Sequence, residues 1–151
     1  MIVRNAAWED LAELIRMGQA FTEAAGQHEI DVESFAITVE NLLDVGIVKV
    51  AADNVTQRVI GSISVMVFPS FWNHGRLLAQ ELWWWVDEDY RGSSAAIKLL
   101  KEAEIESKRM GAEKLLMLYL DGLEGAKMAQ IYERLGYKPQ ERTFYKELSW
   151  E

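Results

Sequence analysis

Apolar residues recur at helical spacing in two early stretches. Leu11, Leu14, Ile15 and Phe21 form a stripe that predicts a helix over 10–25, broken by Gly26-Gln27-His28. Phe35, Val39, Leu42 and Leu43 predict a second helix over 31–43, which Gly46 ends. "IVR" (2–4) precedes them as a short strand. The period then changes. "GIVKVAAD" (46–53) and "VIGSISVMVF" (59–68) flank the polar turn "NVTQR" and predict a hairpin. "PSFWNHGR" (69–76) reads as a loop, because Pro69 and Gly75 bracket polar and aromatic residues. "LLAQELWWWV" (77–86) is a strand whose weak alternation implies burial on both faces.

Helical spacing returns over 94–110 through Ala95, Leu99, Glu102 and Ala103, and Gly111 stops it. "EKLLMLYL" (113–120) is almost continuously apolar and predicts a central strand. "DGLEG" is a turn, 124–135 a helix closed by Gly136, and "YKP" and "TFYKEL" (143–148) are final short strands. This alternation predicts one mixed α/β domain over residues 1–151.

Composition narrows the picture. Half of the 151 residues are apolar and about a quarter charged, enough for a real core. A net charge of −8 speaks against nucleic acid or an anionic membrane as partner. No apolar run has the length of a membrane span, and "MIVRNAAWED" lacks the pattern of a secretory signal, so a cytoplasmic protein is expected. The chain has no cysteine, hence no disulfide and no thiolate chemistry of its own. With His28 and His74 its only histidines and no dense carboxylate cluster beside them, no metal site is expected.

The stretch richest in chemistry is "VDEDYRGSSAAIKLL" (86–100), where Arg91-Gly92-Ser93-Ser94-Ala95-Ala96 leads from a strand into a helix. The head of a helix carries backbone N–H groups without intrahelical partners and the positive end of the helix dipole. Small residues let a phosphate approach that backbone, and Arg91 adds a fixed charge. The same residues also suit a plain strand–turn–helix joint, capped by Ser93 or Ser94 with Arg91 solvated. The pattern is neither the nucleoside-triphosphate loop, since no Gly-Lys-Ser/Thr follows, nor the dinucleotide fingerprint, whose glycine spacing fails.

Taken together, the element order, the strand ending "ELWWWV", the turn "YRGSSAA" and the later "AQIYERLGY" resemble the GNAT superfamily of acyl-CoA-dependent N-acetyltransferases, including small phage-related members with a similar "RGS" turn. The family's turn runs Gln/Arg-x-x-Gly-x-Gly/Ala. Arg91 and Ala96 fit its ends, and Ser94 stands where the middle glycine is usual. The resemblance covers essentially the whole chain and is most specific over 78–137. It implies a mostly antiparallel twisted sheet with one parallel pair at the cofactor site, flanked by about four helices.

The resemblance also implies chemistry. Acetyl-CoA would be the acyl donor, with its pyrophosphate on Arg91, Gly92, Ser93, Ser94, Ala95 and Ala96. Its pantetheine arm would pair with the strand at Trp85, Val86 and Asp87, in a gap before the next parallel strand. A backbone N–H near Val86 would polarise the thioester carbonyl. The acceptor would be an amine of a small molecule or peptide, attacking directly. An amine with a pKa of about 10.4 is protonated at neutral pH and must lose a proton first. Glu81 matches the family's frequent base, directly or through water. Burial among Trp83, Trp84 and Trp85 would raise its pKa. Equally, Glu81 suits a polar strand edge or an ion pair. Tyr132 in "IYERLGY" matches the general acid for the departing thiolate, and also suits a half-buried core tyrosine. The asparagine common near the start of that helix is missing from "DGLEGAKMAQ".

Alternation sets Trp83 and Trp85 on one face, opposite Trp84, as core or as an aromatic cage for a cation. Phe71 and Trp72 are placed to touch substrate or make a homodimer contact. His28 and Glu29, between the first two helices, are weak substrate contacts by the same resemblance, and Trp83 is one as a wall of that cage. The competing reading is a non-catalytic module of the same fold that binds coenzyme A or a partner protein.

Overall fold

The computed structural model describes residues 1–120 and 125–149. Its elements are β1 (Ile2–Asn5), α1 (Leu11–Ala25), α2 (Val32–Val45), β2 (Ile47–Ala52), β3 (Val59–Ser70), β4 (Asn73–Val86), α3 (Ala95–Arg109), β5 (Ala112–Leu116) and α4 (Gly125–Arg134). Single 3-10 turns, Trp8–Asp10 and Glu88–Tyr90, precede α1 and follow β4. The strands form one sheet in the order β1-β2-β3-β4-β5, antiparallel except for the parallel pair β4–β5. The fold is thus mixed α/β with four α-helices, as the sequence predicts. Contacts group the chain into two compact units, Met1–Leu118 and Tyr119–Glu151.

In the first unit, one sheet face carries α1 and α2. Leu14 and Met17 of α1, Val39 and Leu42 of α2, Val48 and Val50 of β2 and Val59 of β3 bury one another there. Each helix contributes residues three apart, so its stripe faces the sheet. Asp31 caps α2 by accepting from the Ser34 amide at 2.9 Å. On the other face lies α3, whose buried Ala95, Leu99, Leu100, Ala103 and Ser107 repeat at helical spacing. Its Leu99 would sit 3.2 Å from a Cβ built on Gly61 of β3.

Four expectations are corrected. Residues 69–76 are not a loop: β3 runs to Ser70 and β4 starts at Asn73, leaving Phe71-Trp72 as the hairpin tip. Pro69 is tolerated because the ladder is irregular there, between the pairs Pro69–Leu77 and Ser70–Asn73. The strand predicted over 113–120 is shorter, Ala112–Leu116, and lies at the end of the sheet order rather than its centre. Its apolar run does not mark burial: β5 residues are half-buried or exposed, and Leu118 and Tyr119 after it are 50% and 45% exposed. The strands predicted at 137–139 and 143–148 are not formed, because a strand needs a ladder partner and none pairs there among the described residues. Phe144, Tyr145 and Leu148 are accordingly exposed. Of the predicted turn at 121–125, residues 121–124 lie outside the described residues, as does the predicted start of the following helix at Glu124.

Candidate active site at the fork of two parallel strands

β4 changes phase partway along. Ser64 pairs with Trp83 and Val65 with Glu81, so Leu82 is an extra residue, a β-bulge. Paired residues share a sheet face. Trp83 and Trp85 therefore lie with Ser64 and Ser62 on the α1–α2 face, and the Trp83 indole donates to the Ser62 hydroxyl at 3.0 Å. Glu81 lies with Val65 on the opposite face, the one that also carries Trp84. This corrects the expectation that Glu81 sits among all three tryptophans. Simple alternation would have put residues 81, 83 and 85 on one side, and the bulge undoes it.

The bulge coincides with a fork. Ladder pairs between β4 and β5 end at Gln80–Leu116. At the next step the Glu81 carboxylate accepts the Leu118 amide at 3.0 Å, where a backbone carbonyl would have continued the ladder. That bond accounts for the early end of β5. Glu81 is 7% exposed, and the Leu118 amide gives its buried carboxyl oxygen a hydrogen-bond donor. Past the fork, no β5 residue pairs with β4 from Glu81 to Val86 among the described residues. The Asp87 amide donates to the Ile60 carbonyl at 2.8 Å, which fixes the phase of the strand end. The backbone groups of Trp85 and Asp87 thus turn toward β3, and those of Trp84 and Val86 turn away from it, to the side where the β4–β5 pairs have ended. Of the three residues expected to pair with a ligand arm, Val86 has that orientation. Trp84 shares it, and the sequence reading missed it.

The turn after β4 is ordered by its own small residues. The Arg91 Nε donates to the Val86 carbonyl at 3.0 Å, and its guanidinium lies 4.6 Å from the centre of the Trp85 ring. Gly92 has φ of +90°, a left-handed conformation that a side chain would strain. Ser93 caps α3, its hydroxyl accepting from the Ala95 amide at 3.2 Å, whereas Ser94 makes no side-chain cap. Among the described residues no acceptor meets the amides of Gly92, Ser94, Ala96 and Ile97. Four N–H groups at the head of a fifteen-residue helix, beside one arginine, match an anion such as a diphosphate.

Asp87 is also fixed from behind. Arg16 of α1 grips both carboxylate oxygens, at 3.0 and 2.9 Å, and the Trp85 indole donates to one of them at 3.2 Å. The Arg16 pKa is raised, chiefly by this bond to Asp87.

A cavity of about 170 Å³ lies between α1, the residues entering α2 and β4. Its walls include Met17, Gly18 and Phe21 of α1, Ile30 and Phe35, and Leu82, Trp83 and Trp85 of β4. The Phe35 and Trp83 rings are 5.4 Å apart, and the Phe21 ring meets Trp85 edge-on at 6.2 Å. Of the five weakly predicted substrate contacts, Trp83 lines this cavity. His28 and Glu29 are exposed and do not line it; Ile30 does. Phe71 and Trp72 stand at the hairpin tip, 85% and 95% exposed. Leu82 and Gly18 escaped the sequence reading, although a glycine inside a helix is a signal for close approach.

In the second unit Tyr132 of α4 is buried, and its ring lies 5.6 Å from that of Tyr137. The Tyr137 amide donates to the Tyr132 carbonyl at 2.9 Å, closing the helix end at Gly136. Among the described residues no group of three or more His, Cys, Asp or Glu is placed to hold a metal ion, and no helix is long and apolar enough to cross a membrane.

The forked parallel pair with an amide-rich helix head behind it is the arrangement that the resemblance implies, and comparison with known proteins agrees. A sequence model described as "Acetyltransferase (GNAT) domain" matches residues 44–139, and the chain belongs to this family. Among solved structures, an acetyltransferase of Trypanosoma brucei is similar over 97% of this chain and 99% of its own, at 24% identity and a TM-score of 0.78. A glucosamine-6-phosphate N-acetyltransferase of Arabidopsis thaliana is similar over 98% of each chain, at 17% identity and a TM-score of 0.73. An aminoglycoside acetyltransferase from an uncultured soil sample covers the same shares at 17% identity and 0.74. At these identities the likeness speaks for the fold. No curated protein matches the chain.

Proposed function

We propose that this protein is a single-domain, cytoplasmic N-acetyltransferase that moves an acetyl group from acetyl-CoA to an amine. The observation that carries this reading is the set of four amides, Gly92, Ser94, Ala96 and Ile97, at the head of α3 that meet no acceptor among the described residues. They would hold the diphosphate with Arg91, Ser93 and Ala95 around them. The β4 backbone at Val86, beyond the last β4–β5 pair, would take a pantetheine amide, as an added strand pairs with a sheet. Acetyl-CoA would supply an activated thioester.

The chain's own residues would do the rest. The Val86 N–H would donate to the carbonyl oxygen as negative charge gathers on it. Glu81, fixed by the Leu118 amide, would take the amine's proton. Because Glu81 and the Trp83–Trp85 pair occupy opposite faces, a water relay suits that transfer. Tyr132 is assigned the proton for the departing sulfur. The acceptor is an amine on a small molecule or a peptide.

A second reading has its own observation. The exposed Phe71-Trp72 tip suits a partner protein or a second copy of the chain, and a module that holds coenzyme A without turnover would keep the same fold. The deciding experiment is a thermal shift with acetyl-CoA, ATP and NAD, followed by thiol release over a broad amine panel. Stabilisation by acetyl-CoA alone, with thiol release, supports the enzyme; stabilisation without release supports the module. No stabilisation would overturn both.

A further inference from the structure

We infer that the acceptor is a primary amine carried on a single apolar group, an aryl ring or a branched alkyl chain, which seats in the cavity between α1 and β4. This rests on the acetyl-transfer reading and deepens it. The cavity is walled by Leu82, Trp83 and Trp85, the β4 residues that lead up to Val86 past the last β4–β5 pair. A group held there lies beside the place where an acyl chain would run.

Size and chemistry then choose the occupant. An apolar cavity of roughly 150 Å³ admits one benzene ring. At about 170 Å³ this one suits a single ring. Among the described residues Thr22 supplies the only hydroxyl in its wall, and no charged side chain lines it. A polyamine or an amino sugar would leave its further charges and hydroxyls unpaired there, a costly burial. An apolar wall also disfavours the ammonium form, so it would lower the amine's pKa and ease the proton loss that attack requires. In the reaction the amine nitrogen bonds to the acetyl carbon and the carbon–sulfur bond breaks. The nitrogen gives up one proton and the sulfur gains one, leaving an amide and coenzyme A.

Gly18 keeps the space open. A Cβ there would come within 2.5 Å of the Ile30 Cδ1 and 3.5 Å of the Phe35 ring. Gly18→Ala therefore narrows the cavity at the cost of moving one flexible side-chain end.

The test uses the full chain with phenethylamine, spermidine and kanamycin as acceptors. Thiol release gives kcat/KM, acetyl-CoA binding is followed by thermal shift, and phenethylamine binding by ligand-observed NMR. The expected result is a kcat/KM for phenethylamine roughly tenfold or more above that for either polar amine. Gly18→Ala should raise the KM for phenethylamine several-fold and leave the acetyl-CoA shift unchanged. Should spermidine or kanamycin match phenethylamine in a protein that binds acetyl-CoA, the inference fails alone and the acetyl-transfer reading stands. Should phenethylamine bind and acetyl-CoA not, the acetyl-transfer reading fails and takes the acceptor assignment with it. If Gly18→Ala does not fold, the ranking of the three amines by the native protein still decides.

Discussion

Arg16 and Asp87 stand 71 positions apart in the chain and meet in a two-pronged ion pair, Nη1 to Oδ1 at 3.0 Å and Nη2 to Oδ2 at 2.9 Å. The pair ties α1 to the end of β4, and Asp87 also receives the Trp85 indole. It therefore holds the register on which the outward turn of Val86 depends.

Arg16→Met should cost about 1.5 kcal/mol of stability, since charge-assisted bonds at a partly solvent-accessible pair fall near that size. Urea unfolding measures it. A double-mutant cycle with Asp87→Asn should return a coupling of about 1 kcal/mol, and additive effects would refute the pair's role.

A pH dependence follows from Asp10. Arg4 grips its carboxylate at 2.7 and 2.9 Å, and the Ala7 amide adds a bond at 2.8 Å. The Arg4 bond foremost, with the amide, holds the Asp10 pKa below its ordinary 3.8 against the opposing effect of burial. The depressed folded value means that the contribution is complete above the ordinary value. It disappears as pH falls through the depressed one. Urea midpoints measured from pH 5 downward should fall more steeply for the native protein than for Asp10→Asn. Parallel curves would contradict the pairing.

Ser94→Asp separates helix stability from anion binding. Ser94 occupies the cap position of α3 and makes no cap bond. An aspartate there favours the helix dipole by about 0.5 kcal/mol. The same charge should weaken acetyl-CoA binding about tenfold or more by repelling the diphosphate. Calorimetric affinity should thus fall while the melting temperature of the free protein holds or rises. Unchanged affinity would remove the helix head from the donor site.

Glu81→Gln keeps an oxygen for the Leu118 amide but loses the basic carboxylate. If Glu81 takes the proton, kcat should drop about 100-fold with little change in stability. Glu81→Ala would additionally release Leu118 and destabilise the fork. Full activity in the glutamine variant would leave Glu81 as a clasp between strands and not a base.

The early elements were legible because their apolar spacing is long and regular. The stripe through Leu11, Leu14 and Ile15 and the run from Ala95 to Ala103 each face a sheet, so period and burial agree. The turn at 91–96 was legible as a helix head, and Gly92 with its left-handed backbone and Ser93 as cap show why small residues gather there. What escaped depends on contacts distant in sequence. Nothing local marks Leu82 as extra; it is so only against Ser64 and Val65. The end of β5 depends on a carboxylate from β4, and "TFYKEL" carries strand propensity that pairing alone could realise. The cavity combines residues from 14 to 85, and of its walls the sequence reading named Trp83 alone as a substrate contact.

Leu82 carries a wider consequence. One surplus residue works like a frameshift along β4: upstream and downstream side chains obey opposite parity. A single uninterrupted strand can thereby place an acidic group in one layer of the molecule and an aromatic wall in the other. Deleting that one residue would leave Val65 opposite Glu81 and Ser64 opposite Trp83, each on its present side, and would restore ordinary alternation along the strand.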